Sequence, residues 1–399
     1  MQKKIINLYL SFSFFFNLSI SFFFATYVIF LQSKGMNLLQ TNLINFCFMA
    51  SIFVLELPTG SFADVFGRKK SIIGGCLALG FSMIVYFISE SFWLFVLAEV
   101  IGAFGHTLIS GAKDAWLVDS LNHHGHTDNL QSIFKKELSY KQIGVIVGSL
   151  IGAQIGEWNI ALPWLFSGIS MILVSIFLSF KLKEDYFTAS QEKFSFRGAV
   201  GLMRNTIREG FCFGIKNQPI LFLMLFSIFF AFAIQGMNMQ WSVLFKDKFS
   251  VKINQLGFIY FGISFVMLLG NQFSGKITNF FHLEKDGLIV SQLLTAIGII
   301  MAAILGSFIP VLIFFYLHEF GRGVFGPAKQ TYLNKRITNN EKRATILSLD
   351  QMFMHLGALL GLLFSGYLAE KFSIPISWLS GGIILCLGIL IFSKIKNEE

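Results

Sequence analysis

Charge is what this chain has least of. Only 13% of its 399 residues are Asp, Glu, Lys or Arg, where a soluble domain carries about 25%. So few charges cannot cover a surface that faces water. Cysteine is scarce as well. Cys47, Cys76, Cys212 and Cys386 lie far apart without a CxxC pair, so neither a metal knuckle nor a disulfide framework is indicated. No phosphate loop appears, which leaves ATP-driven pumping without support. No nucleophile–base pair or carboxylate cluster marks an enzyme, and no cofactor is implied. No A-x-A-like site follows the first apolar run, which reaches Leu31, so this run reads as a membrane helix and not as a signal peptide.

What is present is apolar. Hydrophobic residues make up 54% of the chain, with 49 Phe. They come in runs of about 20 residues, the length that crosses a bilayer as a helix. Twelve spans are expected: 8–31, 38–58, 71–89, 92–113, 138–156, 160–180, 219–242, 253–273, 287–306, 308–326, 345–368 and 374–393. All should be helices, because unpaired backbone groups cannot face lipid. The expected fold is an all-α membrane protein.

The cations test this count. With both termini in the cytoplasm, inside segments hold 23 Lys and Arg and outside loops only five. That bias is the positive-inside rule. It places the protein in the plasma (cell inner) membrane as a multi-pass chain and directs its net charge of +9 at the lipid bilayer, not at nucleic acid. The longest connection, 181–218, carries Phe196, Val200, Met203, Ile207 and Phe211 at helical spacing. An amphipathic helix in the membrane interface and a solvated linker both fit. His123, His124 and His126 share one polar turn; a metal site and a solvated turn are both open, the second being commoner.

The two halves look related. "AFGHTLISGAKDAWL" (103–117) aligns without gaps to "EFGRGVFGPAKQTYL" (319–333), an offset of 216 that matches Lys113 to Lys329. At an offset of 215, Gly60 meets Gly275. Two ordered matches at nearly one offset indicate an internal repeat. Expected domains are a six-helix bundle at 1–180, a linker at 181–218 and a second bundle at 219–399. Six plus six helices in parallel repeat is a transporter architecture.

Between the second and third spans lies "GSFADVFGRKK". It resembles the signature loop of the major facilitator superfamily at Gly60, Ala63, Asp64, Gly67, Arg68 and Lys69. Phe62 replaces a Leu, and Val65 replaces a basic residue. Gly60 and Gly67 would permit a tight turn, and Arg68 offers a planar fork to a carboxylate. The resemblance implies a cytoplasmic gate. In it Asp64 would meet the start of helix 11, near Arg343 to Thr345, and Arg68 would meet Asp119. A solvated loop whose cations only set topology is the alternative.

Ionisable groups at membrane depth are costly and usually functional. Span 4 presents Glu99, Gly102, His106, Ser110 and Lys113 on one face, and span 10 presents Glu319, Arg322, Gly326 and Lys329. Span 1 adds Ser13, Asn17 and Ser21; span 7 adds Gln235, Asn238 and Ser242. The resemblance implies that helices 1, 4, 7 and 10 line a central cavity. Glu319 and Arg322, three apart, can pair, with a structural or a substrate and proton role equally open. Glu99 has no partner on its own helix; it can titrate between wet and dry states or snorkel to outer water. Asp350, His355 and Glu56 are weaker candidates. Lys141 is expected to pair with Asp114 or Asp119. Two departures bear on the resemblance. Glu99 stands where many exporters carry an Arg, and the Gly144, Gly148, Gly152, Gly156 stripe of span 5 lacks the antiporters' Pro.

The expected function is secondary active transport of a small-molecule substrate, with proton-coupled export of an amphipathic compound favoured, as in drug-efflux members, by a monomer. A nutrient or metabolite importer and a non-transporting sensor remain the alternatives.

Overall fold

The computed structural model describes residues 2–125, 130–187, 201, 217–281, 284–337 and 340–394. Helix dominates these residues and no strand occurs among them, as backbone buried in hydrocarbon requires. The first expected span is two helices, α1 (Gln2–Ser21) and α2 (Tyr27–Ser33), with a turn between them. Next come α3 (Leu38–Phe66), α4 (Arg68–Ile88), α5 (Phe92–His123), α6 (Leu130–Trp158) and α7 (Leu162–Lys181). The seventh span is again divided, into α8 (Gln218–Ala233) and α9 (Gln235–Phe249), with Ile234 between. Then follow α10 (Ile253–Phe280), α11 (Glu284–Ile304), α12 (Phe308–Arg336), α13 (Asn340–Lys371) and α14 (Ile374–Ser393).

Among the described residues, ten stretches are long and apolar enough to cross a membrane, with α8 and α9 forming one of them. Helices α1 and α6 occupy the first and fifth of the twelve expected positions. At 20 and 29 residues they are long enough, but Lys, Asn and Ser in α1 and Lys, Glu and Gln in α6 dilute the apolar run. Prolines at the starts of α7, α8 and α14 sit where a missing N–H costs nothing. Ser91 and Ser373 cap α5 and α14 by accepting the N–H of Leu94 and Ile376.

Several helices overrun their expected ends. α3 continues through Pro58 to Phe66, so the junction with α4 is one residue, Gly67, at φ 99. Only glycine adopts that angle without strain. Gly60 therefore lies inside a helix, and its expected part in the turn is corrected. Helix α5 comes near it through Gly111, where a Cβ would lie 3.4 Å from the Gly60 Cα. The end of an apolar run marks where the membrane ends, and a helix can continue past it.

The chain forms two compact units. One comprises Met1–Gly35, Cys47–Leu202 and Lys252–Phe261; the other comprises Met36–Phe46, Met203–Val251 and Gly262–Glu399. Two short segments thus depart from a division at 180 and 219. In the second unit the Asn42 amide of α3 donates to the Leu362 carbonyl at 2.8 Å and to Ser365 at 3.0 Å, both on α13. In the first, Gly257 of α10 packs on Ala153 of α6. The helix expected at 196–211 lies outside the described residues.

Glycine sets the closest packing within each unit. Gly144, Gly148 and Gly152 of α6 lie against the carbonyls of Phe14, Leu18 and Phe22 of α1. Gly357 and Gly361 of α13 lie against those of Ile228 and Phe232 of α8. Small residues admit such backbone approach where lipid supplies no hydrophobic drive between helices.

Candidate functional site

In the first unit, Gly75 of α4 and Gly105 of α5 bring the two backbones together; a Cβ on either would stand 2.7 Å from the other's carbonyl oxygen. About three turns along α4, the same helix pair sets Tyr86 beside Glu99 of α5. Tyr86 donates to the Glu99 Oε1 at 2.5 Å, and Tyr27 of α2 donates to the same oxygen at 2.7 Å. Glu99 is 8% exposed. Trp164, at the start of α7, stacks between Tyr86 at 4.0 Å and Phe23 at 3.9 Å, and Phe30 and Phe95 close the cluster. This aromatic column fixes Tyr86, and through it the carboxyl, by packing that only large planar rings provide. Both direct partners of Glu99 are neutral phenols.

In the second unit, the Arg322 Nη1 donates to both oxygens of Glu319, at 2.9 and 3.0 Å, and to the Asn238 Oδ1 at 2.9 Å. Glu319 is 3% exposed. The His318 Nδ1 stands 3.5 Å from the Glu319 Oε1, and His318 is fully buried with no hydrogen bond to either ring nitrogen among the described residues. Gly298 of α11 lies against the His318 backbone, and Gly321 against Ser291, which press α12 onto α11. Gln235 donates to the Ala231 carbonyl at 2.9 Å, a group that the break after α8 leaves without its helical partner.

The remaining polar residues of the cavity stripes stand apart. Asn17 donates back to the Ser13 carbonyl of its own helix at 2.7 Å. The His106 Nδ1 is buried without a hydrogen bond, and its ring meets the edge of Phe48 at 6.1 Å. No hydrogen bond joins either residue to Glu99 among the described residues.

At the α3–α4 junction the Arg68 Nη1 lies 2.5 Å from the Asp64 Oδ1, and its Nε lies 3.4 Å from the Asp119 Oδ2 at the end of α5. Spacing on the helix explains the first contact. A third acid joins them. Glu184, just past α7, accepts the backbone N–H of Arg68 at 2.6 Å and of Lys69 at 3.0 Å. Its carboxylate thus caps the first turn of α4, where unpaired N–H groups and the helix dipole favour a negative charge. A Cβ on Gly67 would stand 2.8 Å from a Glu184 oxygen, a second reason for glycine there. The segment is held by Trp116, whose Nε1 donates to the Lys183 carbonyl at 2.9 Å, and by Tyr186, whose phenol burial pushes up to about 12. Lys141 takes neither expected acid: Asp119 faces Arg68, while Asp114 accepts from Tyr9 at 2.7 Å and lies 3.7 Å from Lys113.

Tyr27, Tyr86 and Glu184 escape the sequence reading because their partners sit on other helices, and no spacing rule links them; His318, beside Glu319 on the same helix, is not singled out in that reading. The polar tips of Tyr27 and Tyr86 in otherwise apolar spans are the one signal available.

Two units, each with a broken helix and each burying ionisable groups on the fourth and fifth spans of its half of the chain, define a polytopic helical protein of transporter type. The sequence profile of the Major Facilitator Superfamily matches residues 9–245 and 221–399, and the chain belongs to that family. Among its relatives, the MFS-type transporter YxaM of Bacillus subtilis is 23% identical, over 99% of this chain and 97% of its own length. Multidrug resistance protein 2 of the same organism is 21% identical, over 88% of this chain and 86% of its own. The crystal structure of the nucleoside transporter NupG superposes with a TM-score of 0.81 at 13% identity, covering 98% of this chain and all of that one. The protein is a multi-pass membrane transporter of this family.

Proposed function

We propose that the protein exports an amphipathic compound across the plasma membrane in exchange for protons, as a monomer working by alternating access. The observation that carries this reading is the setting of Glu99. Among the buried acids, Glu319 faces Arg322, Glu137 faces Lys113 and Asp350 faces Lys329. Among the described residues, Glu99 has only phenols as hydrogen-bond partners. It can gain or lose a proton without breaking an ion pair, which coupling to a proton gradient needs. The phenols can donate to the ionised carboxylate and can rotate to accept from the acid. The aromatic column beside it suits an apolar ring system, and a relative named for multidrug resistance lends weight to export.

Asp64, Arg68, Asp119 and Glu184 act in this reading as a gate at the α3–α4 junction. An exposed ion pair contributes only about 0.2–1 kcal/mol, weak enough to break and reform in each cycle.

The experiment is flux in proteoliposomes. A panel of fluorescent amphipathic compounds, ethidium among them, is followed with and without an imposed proton gradient. Export accelerated by the gradient in the wild type, and not in Glu99→Gln, is expected. Uptake driven in the proton's own direction would favour an importer.

A further inference from the structure

Each unit brings together a lysine, a carboxylate and a serine hydroxyl drawn from three different helices; Lys113 is partly exposed and the other five are buried. In the first, the Glu137 Oε1 of α6 accepts from the Lys113 Nζ of α5 at 2.8 Å and from the Ser13 Oγ of α1 at 2.5 Å. In the second, Asp350 of α13 meets the Lys329 Nζ of α12 at 2.7 Å and accepts from the Ser227 Oγ of α8 at 3.3 Å. Ser13, Glu137, Ser227, Lys329 and Asp350 are all buried. An aromatic ring flanks each lysine: Tyr9 at 5.2 Å from Lys113, and Phe325 at 5.8 Å from Lys329.

The two clusters are copies of one another, helix by helix. Lys329 lies 216 residues after Lys113, the offset of the aligned repeat. Asp350 lies 213 after Glu137, and that same offset carries Gly144 and Gly148 onto Gly357 and Gly361. Ser227 lies 214 after Ser13, the offset that carries Phe14 and Leu18 onto Ile228 and Phe232, against which those glycines pack. The packing register and the polar register therefore agree on α1 with α8 and on α6 with α13, and the aligned repeat adds α5 with α12. A lysine and a buried carboxylate hold their place only while each keeps its partner, since a buried charge left unpaired is strongly disfavoured. The cluster thus resists any sliding of its three helices.

Its place along the chain gives that resistance a use. Ser13 and Ser227 each precede, by about two turns of helix, the break in their own span, at 22–26 and at Ile234. Beyond the breaks, α2 brings Tyr27 to Glu99 and α9 brings Asn238 to Arg322. We propose that the lysine–carboxylate–serine cluster of each unit is a clamp that anchors α1 and α8 ahead of their breaks, so that movement during transport falls on α2 and α9. Lys113, Glu137, Lys329 and Asp350 are positioning residues. The coupling proton does not reside on them. This inference rests on the transporter reading, and it adds the part of each first helix that moves and the part that does not.

The test has two arms on the full-length protein. In flux, Lys113→Met or Lys329→Met alone, which strands a buried carboxylate, is expected to lower the rate at least tenfold. The exchange pair Lys113→Glu with Glu137→Lys, and the apolar pair Lys113→Met with Glu137→Met, should return to within threefold of wild type with the pH profile in place. A double variant that is monodisperse yet inactive, or whose pH profile moves, overturns the clamp, as does a single variant with wild-type flux. The second arm reads movement without transport. In a chain whose own cysteines are replaced by alanine, spin labels at Phe15→Cys and Leu138→Cys report α1 against α6, and labels at Gln32→Cys and Trp93→Cys report α2 against α5. On passing from pH 8 to pH 5 the first distance should hold and the second should shift. A shift in the first pair, or none in the second, overturns the inference. If the wild type shows no proton-driven flux, the transporter reading fails by itself and the distance measurements still decide the clamp.

Discussion

Glu184, beyond the end of α7, holds the first turn of α4 by accepting the backbone N–H of Arg68 at 2.6 Å. A second bond, from the N–H of Lys69 at 3.0 Å, uses its other oxygen. Replacing Glu184 with Ala leaves both donors unpaired, at a cost of about 1–3 kcal/mol. The thermal midpoint of the purified protein should fall by a few degrees, and Glu184→Gln, which keeps an acceptor, should lose less.

Gly152 and Gly60 should respond oppositely to alanine. A Cβ at 152 would overlap the Phe22 carbonyl, so Gly152→Ala must part α6 from α1. Overpacking costs about 1–3 kcal/mol and occasionally more, and this site belongs at the upper end because the obstacle is backbone. A Cβ at 60 meets nothing within 4 Å, and position 60 is helical. Gly60→Ala should leave the midpoint unchanged or raise it, since alanine gains up to about 1 kcal/mol over glycine in a helix. Thermal unfolding of the two variants side by side checks this.

Trp164 is 2% exposed and stacks on two rings. Trp164→Ala should cost about 3–5 kcal/mol, and it should free Tyr86 from the position that reaches Glu99. Trp164→Phe retains a planar ring and should retain most of the stability, as differential scanning fluorimetry would report.

Asp64 is largely exposed, and among the described residues its ion pair is with Arg68. Asp64→Asn should leave folding intact, because an exposed pair contributes about 1 kcal/mol or less. Under the gate reading it should still reduce flux severalfold. Normal flux in a well-folded variant would remove the gate.

Much of this molecule was legible in the sequence, and the family profile bears out the resemblance seen in "GSFADVFGRKK". Run length located the spans. The 103–117 and 319–333 alignment located the repeat that the glycine and lysine positions now extend to three helices. Spacing brought Glu319 to Arg322, since both lie on one helix. What spacing could not do was join helices. Tyr27 and Tyr86 reach Glu99 only because Gly75 and Gly105 let α4 meet α5, and a glycine does not name its partner. The breaks at 22–26 and 234 fall in sequence without proline. Helix ends were misjudged wherever polar residues continued a helix beyond the apolar run, as in α3.

Glu99 is where the account is most exposed. The decisive measurement is proton-driven flux of an amphipathic fluorescent compound by wild type and Glu99→Gln in the same liposomes, with thermal midpoints matched. Gradient-driven export should vanish in the variant, while gradient-independent exchange of the compound persists. Export that still follows the gradient in a folded Glu99→Gln protein would contradict the assignment of the coupling proton to this carboxyl.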